Sequence, residues 1–299
     1  GARELAKRNA IIRKLSSAET LGATTVICSD KTGTLTKGEM TVRKIYVGDK
    51  IIDVTGVGYE PTGQFLDNNV SIDPKENVDL ALLLRTSTLC TNAHYDGKSV
   101  IGDTTEGALI VAAAKAGMTK KDLEATYPRV SEAPFTSERK RMTTVHKTPE
   151  GKLFAYVKGA PEVILERSTH ILKNGQVKKL SAKDRKTILE TNERMASGAL
   201  RVLGVAYKEC EENVDEGNVE KDLVFVGLSG MIDPPRDEAK EANVKCQQAG
   251  IKTVMITGDH KLTAVAIAKE LGMLKSDVVL AGAELDNMSD EEFEKIVED

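Results

Sequence analysis

The 299-residue chain alternates apolar and polar positions in three styles: an opening strand, a long mixed stretch, and a closing strand-helix alternation. Thr24-Thr25-Val26-Ile27-Cys28-Ser29 is short, β-branched and largely apolar, which predicts a strand buried on both faces of a parallel sheet. Residues 40–47 and 50–55 then flank Gly48-Asp49, a hairpin turn in the reverse of the usual Asp-Gly order. Residues 56–63 read as loop, and helical spacing follows over 77–92 and 105–116, the second closed by Gly117. A second hairpin is predicted for 142–148 and 152–158 across Pro149-Glu150-Gly151. Helices over 161–167 and 182–198 and strands over 202–208 and 223–228 complete the middle stretch. In the closing part, Pro234-Pro235 open a helix running to 248, since proline is tolerated in a first helical turn. A buried strand over 251–256, a helix over 261–271 and a strand over 278–281 then read as a right-handed βαβ unit. Ser289 with Glu292 forms a capping box for a terminal helix. The fold class expected is α/β: a parallel core broken after its first strand by a mixed α+β insertion and resumed near Asp233.

The chemistry sits where strands end. Asp30-Lys31-Thr32-Gly33-Thr34-Leu35-Thr36 places a carboxylate at the carboxyl edge of the first strand, the edge at which α/β sheets bind ligands. A carboxylate there can act as a covalent nucleophile toward a phosphoryl group; the ATPase aspartyl-phosphate is a standing example. Lys31 adds positive charge, Gly33 permits close backbone approach, and the threonines add hydroxyl donors. The plainer reading is an Asp capping a polar turn. Thr257-Gly258-Asp259, after Met255-Ile256, repeats the same logic and would put Thr257 within reach of a phosphoryl group at Asp30.

The heptapeptide resembles the phosphorylation motif of P-type cation-transporting ATPases, the calcium-pump and sodium-pump branch most closely, and Asp30 matches their phosphorylated aspartate. The same strand-end Asp marks the haloacid dehalogenase-like superfamily, whose phosphatases carry a second Asp two places on. Thr32 stands there in this chain and has no useful pKa for acid-base work, which favours a pump over a phosphatase. The resemblance implies a haloacid dehalogenase-like phosphorylation domain at 1–38 and 232–299, split by a nucleotide-binding domain at 39–231. It implies ATP as substrate and Mg²⁺ as cofactor, with Asp30 and the Thr32 carbonyl as metal ligands. Lys31, Thr257, Gly258 and Asp259 join Asp30 and Thr32 as catalytic candidates. Asp233 in Asp233-Pro234-Pro235-Arg236 matches the hinge back into the phosphorylation domain, or serves as an N-cap.

The insertion has neither a GxxxxGK[ST] phosphate loop nor a GxGxxG turn, so a nucleotide would be held through its adenine. Pro134 to Met142 resembles the family's phenylalanine-led loop, implying that Phe135 stacks on adenine and Lys140 lines the pocket; Ser137 stands where calcium pumps have arginine. Lys158-Gly159-Ala160-Pro161-Glu162 is close to a family signature and implies Lys158 and Gly159 in the pocket. By its resemblance, Thr105-Glu106-Gly107-Ala108-Leu109 places Glu106 at the family's adenine-contacting glutamate, or Glu106 is simply a first-turn carboxylate on a helix dipole. Ala199-Leu200-Arg201-Val202-Leu203 would supply Arg201 for nucleotide phosphates.

Composition narrows the rest. A net charge of −4 argues against a nucleic-acid partner. Four cysteines without metal-ligand spacing read as reduced thiols, and the four histidines as surface or loop residues. No run approaches the eighteen apolar residues of a membrane helix. The expectation is therefore a cytosolic fragment of a membrane pump, joined to the membrane through flanking segments. Its basic lead-in (Arg3, Lys7, Arg8, Arg13, Lys14 against Glu4) suits the cytoplasmic end of a membrane helix. The family's Gly-Asp-Gly-x-Asn-Asp metal motif does not appear, so the fragment is expected to bind ATP and to autophosphorylate poorly. A stand-alone nucleotide-binding module and a soluble phosphatase are the competing readings.

Overall fold

The computed structural model describes residues 2–7, 11, 15–211, 219–259, 261–274 and 278–297. Arg8, Arg13 and Lys14 of the basic lead-in, and His260, lie outside the described residues. The chain forms two compact units: Gly1–Lys37 with Pro235–Asp299, and Gly38–Pro234.

The first unit opens with α1 (Ala2–Lys7), α2 (Leu15–Gly22) and β1 (Val26–Asp30). The second unit then runs β2 (Thr41–Val47), β3 (Lys50–Val54), β4 (Phe65–Asp67), β5 (Val70–Ile72), α3 (Val78–Leu89), β6 (His94–Tyr95), β7 (Val100–Ile101), α4 (Thr104–Lys115) and α5 (Lys120–Thr126). It continues with β8 (Arg129–Ala133), β9 (Arg141–Lys147), β10 (Leu153–Gly159), α6 (Pro161–Glu166), β11 (Ser168–Lys173), β12 (Gln176–Lys179), α7 (Ala182–Ser197), β13 (Arg201–Cys210) and β14 (Leu223–Ile232). The chain returns to the first unit with α8 (Asp237–Gln248), β15 (Lys252–Ile256), α9 (Lys261–Glu270), α10 (Gly282–Asp286) and α11 (Asp290–Ile296).

An eleven-stranded sheet, antiparallel apart from the β11–β14 pair, carries the second unit, in the order β5-β4-β3-β2-β14-β13-β10-β9-β8, with β11 beside β14 and β12 beside β11. Alternate strand residues feed two cores. Ile45, Val47, Ile52 and Val205 pack with Leu80, Leu83, Leu109 and Ala113 of α3 and α4. Tyr46, Val157, Ala206, Phe225 and Leu228 pack with Ile164, Leu165, Ile188 and Met195 of α6 and α7. Period-2 alternation in the strands thus matches helices on both sheet faces. The Gly48-Asp49 turn closes β2 onto β3 with both residues left-handed (φ +55° and +65°), as a type I′ turn demands.

The first unit is built differently. Among the described residues β1 pairs only with β15, in parallel, from Val26↔Lys252 to Asp30↔Ile256. The expected burial on both faces does not hold: Val26 is 47% and Ile27 37% exposed. Two strands give each other one ladder and leave the outer edges and much of each face bare. Among the described residues Ile267, Ala268 and Leu271 are this unit's buried apolar ones. The Asn243 side chain, also buried, ties α8 to the end of α9 by donating to the Leu271 carbonyl (3.0 Å), and to β15 by accepting from the Thr253 hydroxyl (2.6 Å).

Other expectations need correction. Residues 278–281 form no strand; Ala281 instead caps α10, so the closing βαβ unit is absent among the described residues. An apolar run becomes a strand only beside a partner, and residues 278–281 enter no ladder. The helix after Pro234-Pro235 starts at Asp237, with Arg236 as its cap residue. Asp233 is therefore not an N-cap; its carboxylate accepts from the amides of Gly38 (2.9 Å) and Glu39 (3.2 Å). His146 is fully buried in β9, not on the surface. The Ser289–Glu292 capping box is formed.

Candidate functional sites

In the first unit, the parallel register sets Asp30 beside Ile256, so the chain after each strand leaves from one sheet edge. Asp30 is exposed there. The turn beyond it reverses through Gly33 at φ +73°, a conformation that favours glycine. Thr36, fully buried, holds the turn shut: its amide and hydroxyl both donate to the Lys31 carbonyl (3.0 and 3.1 Å), while its hydroxyl accepts from Gly33 N (3.2 Å). Arg236 adds a clasp that sequence reasoning passed over, although it ends the Asp-Pro-Pro-Arg motif. Its guanidinium donates to the carbonyls of Thr36 (3.0 Å) and Gly33 (3.2 Å).

Lys31 and Asp259 meet in an ion pair, with the Lys31 side chain almost wholly buried and Asp259 partly exposed. The Asp259 amide donates to the Thr257 hydroxyl at 3.1 Å, which shapes the Thr257-Gly258-Asp259 bend. Asp30, Lys31, Thr257, Gly258 and Asp259 are thus gathered at one edge. Thr32 is exposed within the turn. Among the described residues no group of three or more His, Cys, Asp or Glu side chains could hold a metal. Asp30 and a backbone carbonyl such as that of Thr32 are hard oxygen donors of the kind Mg²⁺ takes, and Mg²⁺ commonly keeps several waters. The donor set fits Mg²⁺ in part.

In the second unit, α4 begins at Asp103, whose side chain caps the amides of Thr105 (2.8 Å) and Glu106 (3.0 Å). Glu106 then reaches back: one oxygen accepts from the amides of Asn92 (2.6 Å) and Ala93 (2.9 Å), the other from Lys158 (2.6 Å). Lys158, buried at the end of β10, also donates to the Cys90 carbonyl and approaches the Met142 sulfur at 3.4 Å. Burial by itself raises the Glu106 carboxyl, but the charge and hydrogen bond of Lys158, with the Asn92 and Ala93 amides, outweigh it and hold the group below its usual range. Burial pushes the Cys90 thiol up despite the Lys158 charge, which disfavours its thiolate. Arg201 donates to the Thr105 hydroxyl (3.0 Å), which brings it to the same helix start.

Lys140 joins through its backbone: its carbonyl accepts from Ala160 N at 2.9 Å. Gly159 must be glycine for this approach, since a Cβ would stand 2.4 Å from the Lys140 oxygen. Phe135 stands out on the 134–140 loop, 59% exposed. Glu106 and Lys158 are thus in direct contact, Gly159 lies against the Lys140 carbonyl, Arg201 reaches only Thr105 beside Glu106, and Phe135 is joined through its loop. The Cys90 carbonyl and the Asn92 and Ala93 amides complete the cluster and carried no sequence signal, because backbone groups leave none. A hollow lined by Lys50, Asp67, Asp73, Glu76, Asp79 and Asn174 lies elsewhere. Asp79 is spent there on the amides of Asn174 (2.7 Å) and Gly175 (2.8 Å).

A parallel strand pair flanked by helices and a large sheet with helices on both faces make this a mixed α/β chain. The model of the P-type ATPase cytoplasmic domain N matches residues 78–238, and the chain belongs to the P-type cation-transporting ATPase family. It is 46% identical to calcium-transporting ATPase 1 of Bacillus cereus over 98% of this chain and 31% of that protein. It is 44% identical to the calcium-transporting ATPase of Bacillus subtilis, and 42% to cation-transporting ATPase pma1 of Synechocystis, in each case over 100% of this chain and 34% of the relative. The chain spans about a third of the length of these curated relatives. Among the described residues no helix is long and apolar enough to cross a membrane.

Proposed function

We propose that this chain is the ATP-binding and phosphoryl-accepting part of a cation pump, calcium being the cation named for several relatives. The second unit binds ATP with adenine against Phe135, among Glu106, Lys140, Lys158 and Gly159, and with Arg201 toward the phosphates. The first unit is the haloacid dehalogenase-like phosphorylation domain, and Asp233 marks the hinge at which the chain re-enters it. A carboxylate oxygen of Asp30 attacks the γ-phosphorus, the bond from that phosphorus to the β,γ-bridging oxygen breaks, and ADP leaves with the electron pair. The product is an aspartyl-phosphate. Thr257 donates a hydrogen bond to the transferred group. Lys31, kept in place by Asp259, supplies positive charge at the edge where negative charge gathers. Mg²⁺, held by Asp30 and the Thr32 carbonyl, would supply further charge neutralisation. Thr32 offers no general base, so the phosphoryl group persists.

The observation that carries this reading is the parallel register of Asp30 with Ile256, which sets the Asp-Lys-Thr-Gly-Thr and Thr-Gly-Asp segments at one edge. Calorimetric titration of the chain with ATP tests the binding half. Saturable binding that Lys158→Met weakens at least about tenfold is expected; no binding at millimolar ATP would reject it. Hydrolysis of p-nitrophenyl phosphate dependent on Asp30 would favour a soluble phosphatase instead.

A further inference from the structure

Glu220 belongs to no motif, yet it is a buried carboxylate, 5% exposed, at the center of a charged cluster. One oxygen accepts from the Arg139 guanidinium and from the Thr143 hydroxyl (2.6 Å); the other accepts from Arg141 Nε (2.7 Å). The two arginines flank Lys140, whose backbone is held left-handed at φ +51°, a conformation that a non-glycine residue keeps only when its surroundings enforce it. The same arginines brace the loop from inside. Arg139 donates to the Pro134 carbonyl (2.8 Å), beside Phe135, and Arg141 donates to the Arg139 carbonyl (2.9 Å). The loop closes on itself through Lys140 N to the Thr136 carbonyl (2.8 Å). Phe135 has no core to rest in, so the placing of its ring depends on this frame.

Resting on the proposed ATP site, we infer that Glu220 is a positioning residue for that site. It clamps Arg139 and Arg141 from a segment 81 and 79 positions away, and so pre-organises the Phe135 loop for adenine. A pre-ordered loop loses less freedom on binding, so the clamp appears as affinity. Glu220 touches no nucleotide. Its charge alone would repel a nucleotide phosphate, so a field effect and a clamp predict opposite signs on its removal.

The test uses the full chain, Glu220→Gln, Glu220→Ala and Arg139→Gln, each titrated with ATP and with AMP. Amide hydrogen exchange over 135–140 is measured without nucleotide. Glu220→Gln is expected to weaken ATP and AMP by the same factor, about tenfold, and to speed exchange in the loop while β10 and β13 stay protected. Equal or tighter ATP binding with unchanged loop exchange overturns the clamp. If the parent chain binds neither nucleotide, the ATP reading fails. The loop exchange still decides the clamp: faster upholds it, unchanged overturns it. Should Glu220→Ala not fold, Arg139→Gln removes the same contact from its more exposed side and must show the same loosening.

Discussion

The two units use similar apolar runs to opposite effect. In the second, strands such as β2 and β14 lie inside an eleven-stranded sheet with helices on both faces, and Ile45, Ile52 and Phe225 lose all contact with water. In the first, β1 and β15 have only each other among the described residues, and Val26, Ile27 and Ile256 stay open. The candidate nucleophile Asp30 sits on the open pair, next to the ion pair of buried Lys31 with the half-open Asp259, while the buried clusters of Glu106 with Lys158 and of Glu220 with its arginines belong to the second unit. Burial is a property of neighbours, not of the run itself. The closed unit can hold ionic groups rigidly because their surroundings are fixed.

The sharpest break of this contrast is a matched truncation. Phe225→Ala should cost about 3–5 kcal/mol in urea unfolding, from lost transfer energy and a cavity. Ile256→Ala, 58% exposed, should stay within about 0.5 kcal/mol; equal costs would dissolve the contrast. Next is Lys158→Met, which strands Glu106 among buried groups and should cost about 3 kcal/mol, with Glu106→Gln in the same chain recovering part of it.

The third turns on pH. Burial holds His146 neutral, its pKa pushed down to about 4, with Nδ1 donating to the Tyr127 carbonyl (2.8 Å). Because the folded pKa lies below the unfolded value of about 6.5, the unfolded state binds the proton first. Stability is full above that value and falls as pH drops toward 4, by about 2 kcal/mol between pH 7 and pH 5. His146→Gln should remove that slope; Glu106, also depressed, contributes a loss only at lower pH. The smallest effect is at Ala199, held at φ +63° where α7 ends. Ala199→Gly should raise stability by about 0.5–1 kcal/mol, read as a shift in urea midpoint.

What the sequence made legible was local or covalent in span. The Gly48-Asp49 turn, the capping box at Ser289 and the strand-end Asp30 all follow from residues within a few positions of one another. The Asn174-Gly175 hairpin between β11 and β12, left-handed at both residues, carried the strongest turn signal and went unread. The misread features depend on distant partners. Val278 to Ala281 lacks a neighbouring strand, β1 lacks flanking strands to cover it, and His146 is buried because β9 lies between β8 and β10. Glu220 is the extreme case: its partners are three residues on β9 and the loop before it, and nothing near it in sequence announces them.

The central claim is that Asp30 accepts the γ-phosphoryl group of ATP bound through Lys158. The most direct measurement, on this chain extended to the length of its curated relatives, is acid-quenched labelling with γ-³²P-labelled ATP and Mg²⁺, followed by hydroxylamine treatment. The account predicts a hydroxylamine-sensitive label that Asp30→Asn abolishes and Lys158→Met delays at low ATP. A label that survives Asp30→Asn, or resists hydroxylamine, would contradict it.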